Sequence, residues 1–274
     1  MQQQRFNAAD VWEKLGITEH LGGIDATRRL ARRCLIRPGQ VVLDIGCGTG
    51  YTACLLAKQY GLRVVATDIR ESILKRARER IAASGVGDQV SIVQANIHTL
   101  DFAAESFDVV IAESVLAFCD QQRALSEALR VLKRGGFFGD NELTYLKCPP
   151  PEWTVLLSSA YMGLNIQPLL GEEWLRLFER AGFGDVSGTI SPINLRQQLA
   201  DHLRMDGWRK YFGAVVRGLG YPGVRSTFVS REMMRAWRAY PSYVGFGLYV
   251  GRKPCVSKGV SGRSYHHEVS GEVC

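Results

Sequence analysis

The chain has 274 residues, 46% of them hydrophobic, and its 34 Lys and Arg against 27 Asp and Glu give a formal charge of +7. That is ample apolar material for the buried core of a globular chain. No apolar stretch approaches the roughly 20 residues that span a bilayer; residues 1–6 are polar and lack the apolar core of a signal peptide, so a cytoplasmic location is expected. The seven cysteines include no C-x-x-C pair, which excludes the usual spacing of a zinc site or a disulfide framework; reduced thiols and no metal are expected.

In chain order, residues 1–36 read as an N-terminal helical cap. A short helix is expected near 10–15, then a turn at His20-Leu21-Gly22-Gly23, then a second helix from about Asp25, with Asp25 or Thr27 satisfying its first N–H groups. Gly22 and Gly23 are expected to form that turn, close approach to a ligand being the alternative. Apolar runs at 41–45, 63–67, 90–94, 107–112 and 136–139 alternate with helix-forming stretches at 52–60, 71–84 and 121–133, and Gly85, Gly87 and Gly135-Gly136 supply stops. This alternation predicts an α/β fold with a doubly wound parallel sheet. The run at 107–112 is nearly all apolar, as befits a central strand buried on both faces. A helix at 171–181, a weaker strand at 183–190 and a last strand at 246–251 follow. Residues 254–274, with Cys255, His266-His267 and Cys274, have no periodicity and read as a flexible tail with unconvincing metal spacing.

The densest signal is VLDIGCGTG at residues 42–50. A buried strand runs into Gly46, Gly48 and Gly50, which let the backbone turn tightly against a ligand, and a helix follows. This order presents backbone N–H groups and a helix N-terminus to a nucleotide-like ligand. A nicotinamide fingerprint would need glycine at Tyr51, so an oxidoreductase is disfavoured. Cys47 is a small side chain that fits within the loop. The next apolar run ends at Asp68, whose carboxylate can accept two hydrogen bonds. Together, Asp44, the G-x-G-x-G loop and Asp68 resemble the class I S-adenosylmethionine-dependent methyltransferases, in the small-molecule branch that includes quinone-biosynthesis enzymes. The resemblance covers about residues 37–190 and the last strand.

That resemblance implies a Rossmann-like, doubly wound, seven-stranded sheet with an antiparallel last strand. Residues 37–190 plus 244–253 would form the core, and 191–243 an inserted helical lid; a separate C-terminal subdomain is the alternative. S-adenosyl-L-methionine would be the cofactor. Asp44, Gly46, Cys47 and Gly48 would hold its methionine end, Asp68 the ribose, and Ile69 the adenine face. Asn96 and Ile97 would meet the adenine edge, although the family commonly has an acid at the first of these. Glu113, at the carboxyl edge of the fourth strand, could serve the methionine end or the acceptor. Segment 140–145, expected just after the fifth strand, offers Glu142 to remove a proton and Tyr145 to orient the acceptor. His98 and His202 read as surface or packing residues.

Residues 196–238 hold nine Lys and Arg against three Asp and Glu, a local balance of 9 − 3 = +6. This is a solvated helix face or an anion-attracting surface. Most of the lid aromatics, among them Trp208, Tyr211 and Phe212, should be core, with a minority lining an acceptor pocket. The expected activity is methyl transfer to a small-molecule acceptor, without nucleic acid and with the oligomeric state open. Protein or RNA methylation through the basic lid, and a non-catalytic cofactor sensor, are the alternatives.

Overall fold

The computed structural model describes residues 21–153, 166–219 and 242–255. Its strands are β1 (Val41–Ile45), β2 (Arg63–Asp68), β3 (Val90–Gln94), β4 (Phe107–Glu113), β5 (Leu132–Tyr145), β6 (Leu169–Leu170), β7 (Gly184–Pro192) and β8 (Val244–Arg252). They pair in the order β3-β2-β1-β4-β5-β8-β7, and the two-residue β6 adds to the end of β5. The first five strands are mutually parallel, while β8 runs antiparallel to both β5 and β7. The expected seven-strand path with an antiparallel last strand is present, with β6 as an eighth, minimal strand.

The helices are α1 (Gly23–Arg33), α2 (Tyr51–Tyr60), α3 (Glu71–Ser84), α4 (Gln121–Val131), α5 (Gly171–Arg180), α6 (Leu195–Asp206) and α7 (Trp208–Leu219), with one 3-10 turn at Leu116–Phe118. Successive residues of a strand point to opposite faces, so the core divides in two. Val42, Val109 and Ile111 pack with residues of α1, α2 and α3. Leu43, Val110 and Ala112 pack with those of α4 and α5. In α5, Trp174, Leu177 and Phe178 repeat at helical spacing and are buried against this second side.

Three local expectations are corrected. No side chain caps α1: it follows Gly22 in a left-handed conformation, while Thr27 turns inward and Asp25 pairs with Arg28 at 3.5 Å. A Cβ on Gly22 would stand 2.3 Å from the Phe246 ring, and one on Gly23 would stand 2.0 Å from Asp201 Oδ2. Both glycines therefore serve close packing against the protein. Second, Gly135-Gly136 does not follow the helix as a stop: α4 ends at Val131 and β5 begins at once. Phe107 pairs with Leu132 but Val109 pairs with Phe137, so the glycine segment bulges between two paired positions. Third, residues 140–145 lie inside β5, because β8 continues to pair with it as far as Tyr145.

The described part of the expected lid, after β7, is helical as read. Asn194 caps α6 by accepting from the N–H groups of Arg196 and Gln197. The expected helix at 10–15, residues 220–241 of the lid and most of the tail lie outside the described residues. Cys34, Cys47, Cys54, Cys119 and Cys255 are free thiols; Cys148 is disulfide-bonded, a departure from the expected reduced state.

Candidate functional site

The carboxyl ends of β1, β2, β4 and β5 meet along one edge, where α2 and α3 begin. The glycine loop turns there by left-handed backbone at Gly46, Gly48 and Gly50, with φ of 67°, 51° and 75°. A Cβ at Gly46 would stand 2.4 Å from Val115 Cγ2, whereas one at Gly48 would meet nothing within 4 Å. The first glycine permits close packing against the segment after β4; the second leaves open space beside the loop. Cys47 N–H donates to the Thr67 carbonyl at 2.8 Å, tying the loop to β2. Burial, with Asp44 and Asp68 nearby, pushes the Cys47 thiol far up, so it stays protonated and inert.

Asp68 reaches across to this loop. Its Oδ2 accepts from Gly48 N–H at 3.1 Å and its Oδ1 from Arg70 N–H at 3.0 Å. Burial raises its pKa in spite of these bonds. Next to it Ile69 is 59% exposed, a large apolar side chain at the edge of the core. Asn96 is exposed, and its side-chain oxygen accepts from His98 N–H at 3.0 Å, closing a turn. Ile97 packs on the second core side.

Asp44, Glu113 and Asn141 form a polar layer on the α1 side of adjacent strands β1, β4 and β5. Asp44 is buried and its Oδ2 has no hydrogen-bond partner. Burial, then the nearby Glu113 and Asp68 carboxylates, raises its pKa well above the ordinary range. Glu113 is a bracket: Oε1 accepts from Thr27 of α1 at 2.8 Å and Oε2 from Thr52 of α2 at 2.6 Å. The Asn141 amide adds a bond to Glu113 at 3.3 Å and one to the Leu21 carbonyl at 2.8 Å. Thr27 and Leu21 are contacts that sequence reasoning missed, because nothing local in the chain ties them to a residue of β4 or β5.

Asp140 and Glu142 lie on the opposite face, both fully buried. Glu142 Oε2 accepts from the N–H groups of Val115 at 2.9 Å and Ala117 at 3.1 Å, and Oε1 from Leu143 N–H at 2.9 Å. This carboxylate therefore fastens the turn after β4, whose Val115 side chain lies against Gly46. Burial raises its pKa to about 7 against the pull of those donors. Asp140 has no partner for either oxygen, and burial with Glu142 and Glu113 nearby raises its pKa well above normal. Tyr145, half-buried, ends β5 beside Leu170 and Val244, and burial raises its pKa.

These buried acids make a prediction. A carboxyl whose pKa is raised by folding keeps its proton in the native chain at pH values where the unfolded chain has released it. Stability is then lost as pH rises from the ordinary carboxylate range through about 7, where Glu142 titrates. The melting temperature is expected to fall between pH 5 and pH 8, and Asp140→Asn to flatten that slope. A melting temperature that climbs over this interval in differential scanning calorimetry refutes the assignment.

Helix α6 packs against α1 and α3. Asp201 of α6 stands against Gly23, and Met205 carbonyl accepts from Arg80 of α3 at 3.5 Å. His202 is buried with Nδ1 unpartnered and stacks on Tyr211 at 5.7 Å. Trp208 and Phe212 face outward; several of the other aromatics expected to be core lie outside the described residues.

A family model described as "Methyltransferase domain" matches residues 43–139, the span from β1 through the middle of β5. The chain is 31% identical over 215 residues to the uncharacterized methyltransferase YodH of Bacillus subtilis (strain 168), covering 71% of this chain and 90% of that protein. It is 36% identical over 142 residues to the ubiquinone/menaquinone biosynthesis C-methyltransferase UbiE of Edwardsiella ictaluri (strain 93-146), covering 50% of this chain and 54% of that protein. Among solved structures, phosphoethanolamine N-methyltransferase 2 of Haemonchus contortus in complex with S-adenosyl-L-methionine superposes with a TM-score of 0.71 at 19% identity, over 92% of this chain and 58% of that one. At that identity the superposition shows the fold; the long match to YodH carries the family. S-adenosyl-L-methionine is the cofactor, and the chain belongs to the class I S-adenosylmethionine-dependent methyltransferases.

Proposed function

We propose that the chain methylates a small-molecule acceptor enclosed between the glycine-loop edge and the helical lid. The observation that carries this reading is α6 packed on α1, with Asp201 against Gly23, while Thr27 of the same α1 reaches the polar layer through Glu113. A helix laid over the edge of the sheet favours an acceptor that enters a covered space over a folded polymer.

The residues present fit the cofactor. Asp44 Oδ2 is a buried acceptor without a donor, suited to an ammonium group; Gly48 has open space beside it; Asp68 is an acid already oriented by two N–H groups; and exposed Ile69 offers an apolar face. Asp44, Gly46, Cys47 and Gly48 would hold the methionine end, Asp68 the ribose, and Ile69 with Asn96 and Ile97 the adenine. Bound S-adenosylmethionine supplies a methyl group that is already activated. What remains for the protein is to exclude water and to align the acceptor at near-attack distance.

Glu113 and Glu142 act in this reading as positioning residues. Glu113 holds α1 and α2 together over the site, and Glu142 fixes the Val115 turn against Gly46. Tyr145 is the candidate acceptor contact: its raised pKa keeps the phenol protonated, hence a hydrogen-bond donor and not a base. Tyr145→Phe is expected to lower kcat roughly fivefold, the scale of one hydrogen bond of about 1 kcal/mol, with cofactor affinity unaltered. An unchanged kcat counts against the contact.

The test is to incubate the protein with S-adenosylmethionine and a panel of phenols and quinols, a mixed peptide pool, and RNA. S-adenosylhomocysteine and methylated products are then quantified by mass spectrometry. Turnover on a small acceptor is the expected result; methylation confined to peptide or RNA overturns the reading.

A further inference from the structure

The outer face of α7 is built unlike the rest of the described surface. Trp208, Phe212 and Val216, at four-residue steps, are 62%, 55% and 68% exposed. At 100° per residue these positions span an arc of about 80° on the helix. Arg209 and Arg217, both exposed, continue that arc on one side, and the Arg209 guanidinium lies 5.3 Å from the centroid of the Trp208 ring. The opposite side holds the helix to the protein, through buried Ala214 and through Tyr211 stacked on His202. No acid occurs in α7, whose sequence carries Arg209, Lys210 and Arg217.

We propose that this face of α7 docks the protein on an anionic lipid bilayer surface. An apolar arc beside a basic arc is the pattern of a helix lying in the interface plane, with aromatic and aliphatic side chains below the headgroups and cations among them. Trp and Arg both suit that depth, the ring at the headgroup level and the guanidinium against phosphate. RNA or an acidic peptide would match the basic arc but leave the apolar arc in water; a bilayer takes up both. The helix has 12 residues, about 18 Å at 1.5 Å per residue, too short to cross the hydrocarbon core. It therefore lies on the membrane. The excess of nine basic over three acidic residues in 196–238 adds long-range attraction of the same sign. The proposal rests on the outward face of α7 and does not depend on which acceptor is methylated.

The experiment is co-sedimentation of the full chain with vesicles of phosphatidylcholine alone or mixed equally with phosphatidylglycerol. Binding to the anionic vesicles, weakened by salt and absent from the neutral ones, is expected. The double variant Trp208→Ser, Phe212→Ser should bind roughly tenfold more weakly or worse, and Arg209→Glu with Arg217→Glu should remove the salt dependence. Unaltered S-adenosylmethionine affinity by calorimetry shows that these variants are folded. If the double variant fails to fold, quenching of tryptophan fluorescence in the unaltered protein by brominated phosphatidylglycerol gives the same answer. The proposal is overturned by any of four results: no vesicle binding, equal binding to neutral vesicles, binding unchanged by the Trp208 and Phe212 substitutions, or a concentration-dependent dimer in ultracentrifugation that the same substitutions abolish.

Discussion

Asp68→Ala is expected to weaken S-adenosylmethionine binding by about 1.5–3 kcal/mol, roughly 10- to 150-fold in Kd, the scale for losing charge-assisted hydrogen bonds. The side chain does two things at once. It accepts from Gly48 N–H at 3.1 Å and Arg70 N–H at 3.0 Å, which sets the glycine loop against β2. In the proposed site it also receives the ribose hydroxyls. Alanine removes both functions, whereas Asp68→Asn keeps one acceptor oxygen and should lose less. Titration calorimetry on the two variants gives the order; wild-type affinity in Asp68→Ala would remove this residue from the site.

Glu142→Ala is expected to destabilise the fold by about 3–5 kcal/mol, since it strips the acceptor from three backbone N–H groups and each buried group left unpaired costs about 1–3 kcal/mol. Those donors are Val115, Ala117 and Leu143. A second consequence follows from Val115, whose Cγ2 stands 2.4 Å from where a Cβ on Gly46 would be. Once the turn slackens, the loop loses a wall, and cofactor affinity should fall in the molecules that remain folded. Glu142→Gln retains one accepting oxygen but turns an NH2 toward N–H donors, so it should be intermediate. Urea midpoints measure the first effect and calorimetry the second. A Glu142→Ala protein as stable as wild type would show that the turn is held by something else.

Much of the core was legible because each of its signals is local. Strands β1 and β3 and helix α3 fall where apolar runs and their stops put them, and α2 begins one residue earlier than read. The length of β5 was not legible. Its continuation through Asp140-Asn141-Glu142 depends on pairing with β8, more than a hundred residues later, and a polar run carries no sign of a distant partner. The roles of the acids were hidden for the same reason. Glu113 stands where sequence placed it, at the end of β4, whereas Glu142 lies within β5 and not after it; sequence could not tell that the first is taken by Thr27 and Thr52 and the second by backbone N–H groups. Asn96 is the converse case: its turn bond is to His98, only two residues away.

By itself the sequence determined the α/β class, the cofactor and the order of the core elements, because a glycine loop between a buried strand and a helix, followed by an acid, is a continuous stretch whose chemistry needs no distant partner. Only the tertiary structure decided which carboxylates are engaged, which glycines meet protein and which meet open space, and which aromatics of α7 face water. Those properties belong to pairs of residues far apart in the chain, and burial and hydrogen bonding between such pairs are fixed only when the sheet has closed.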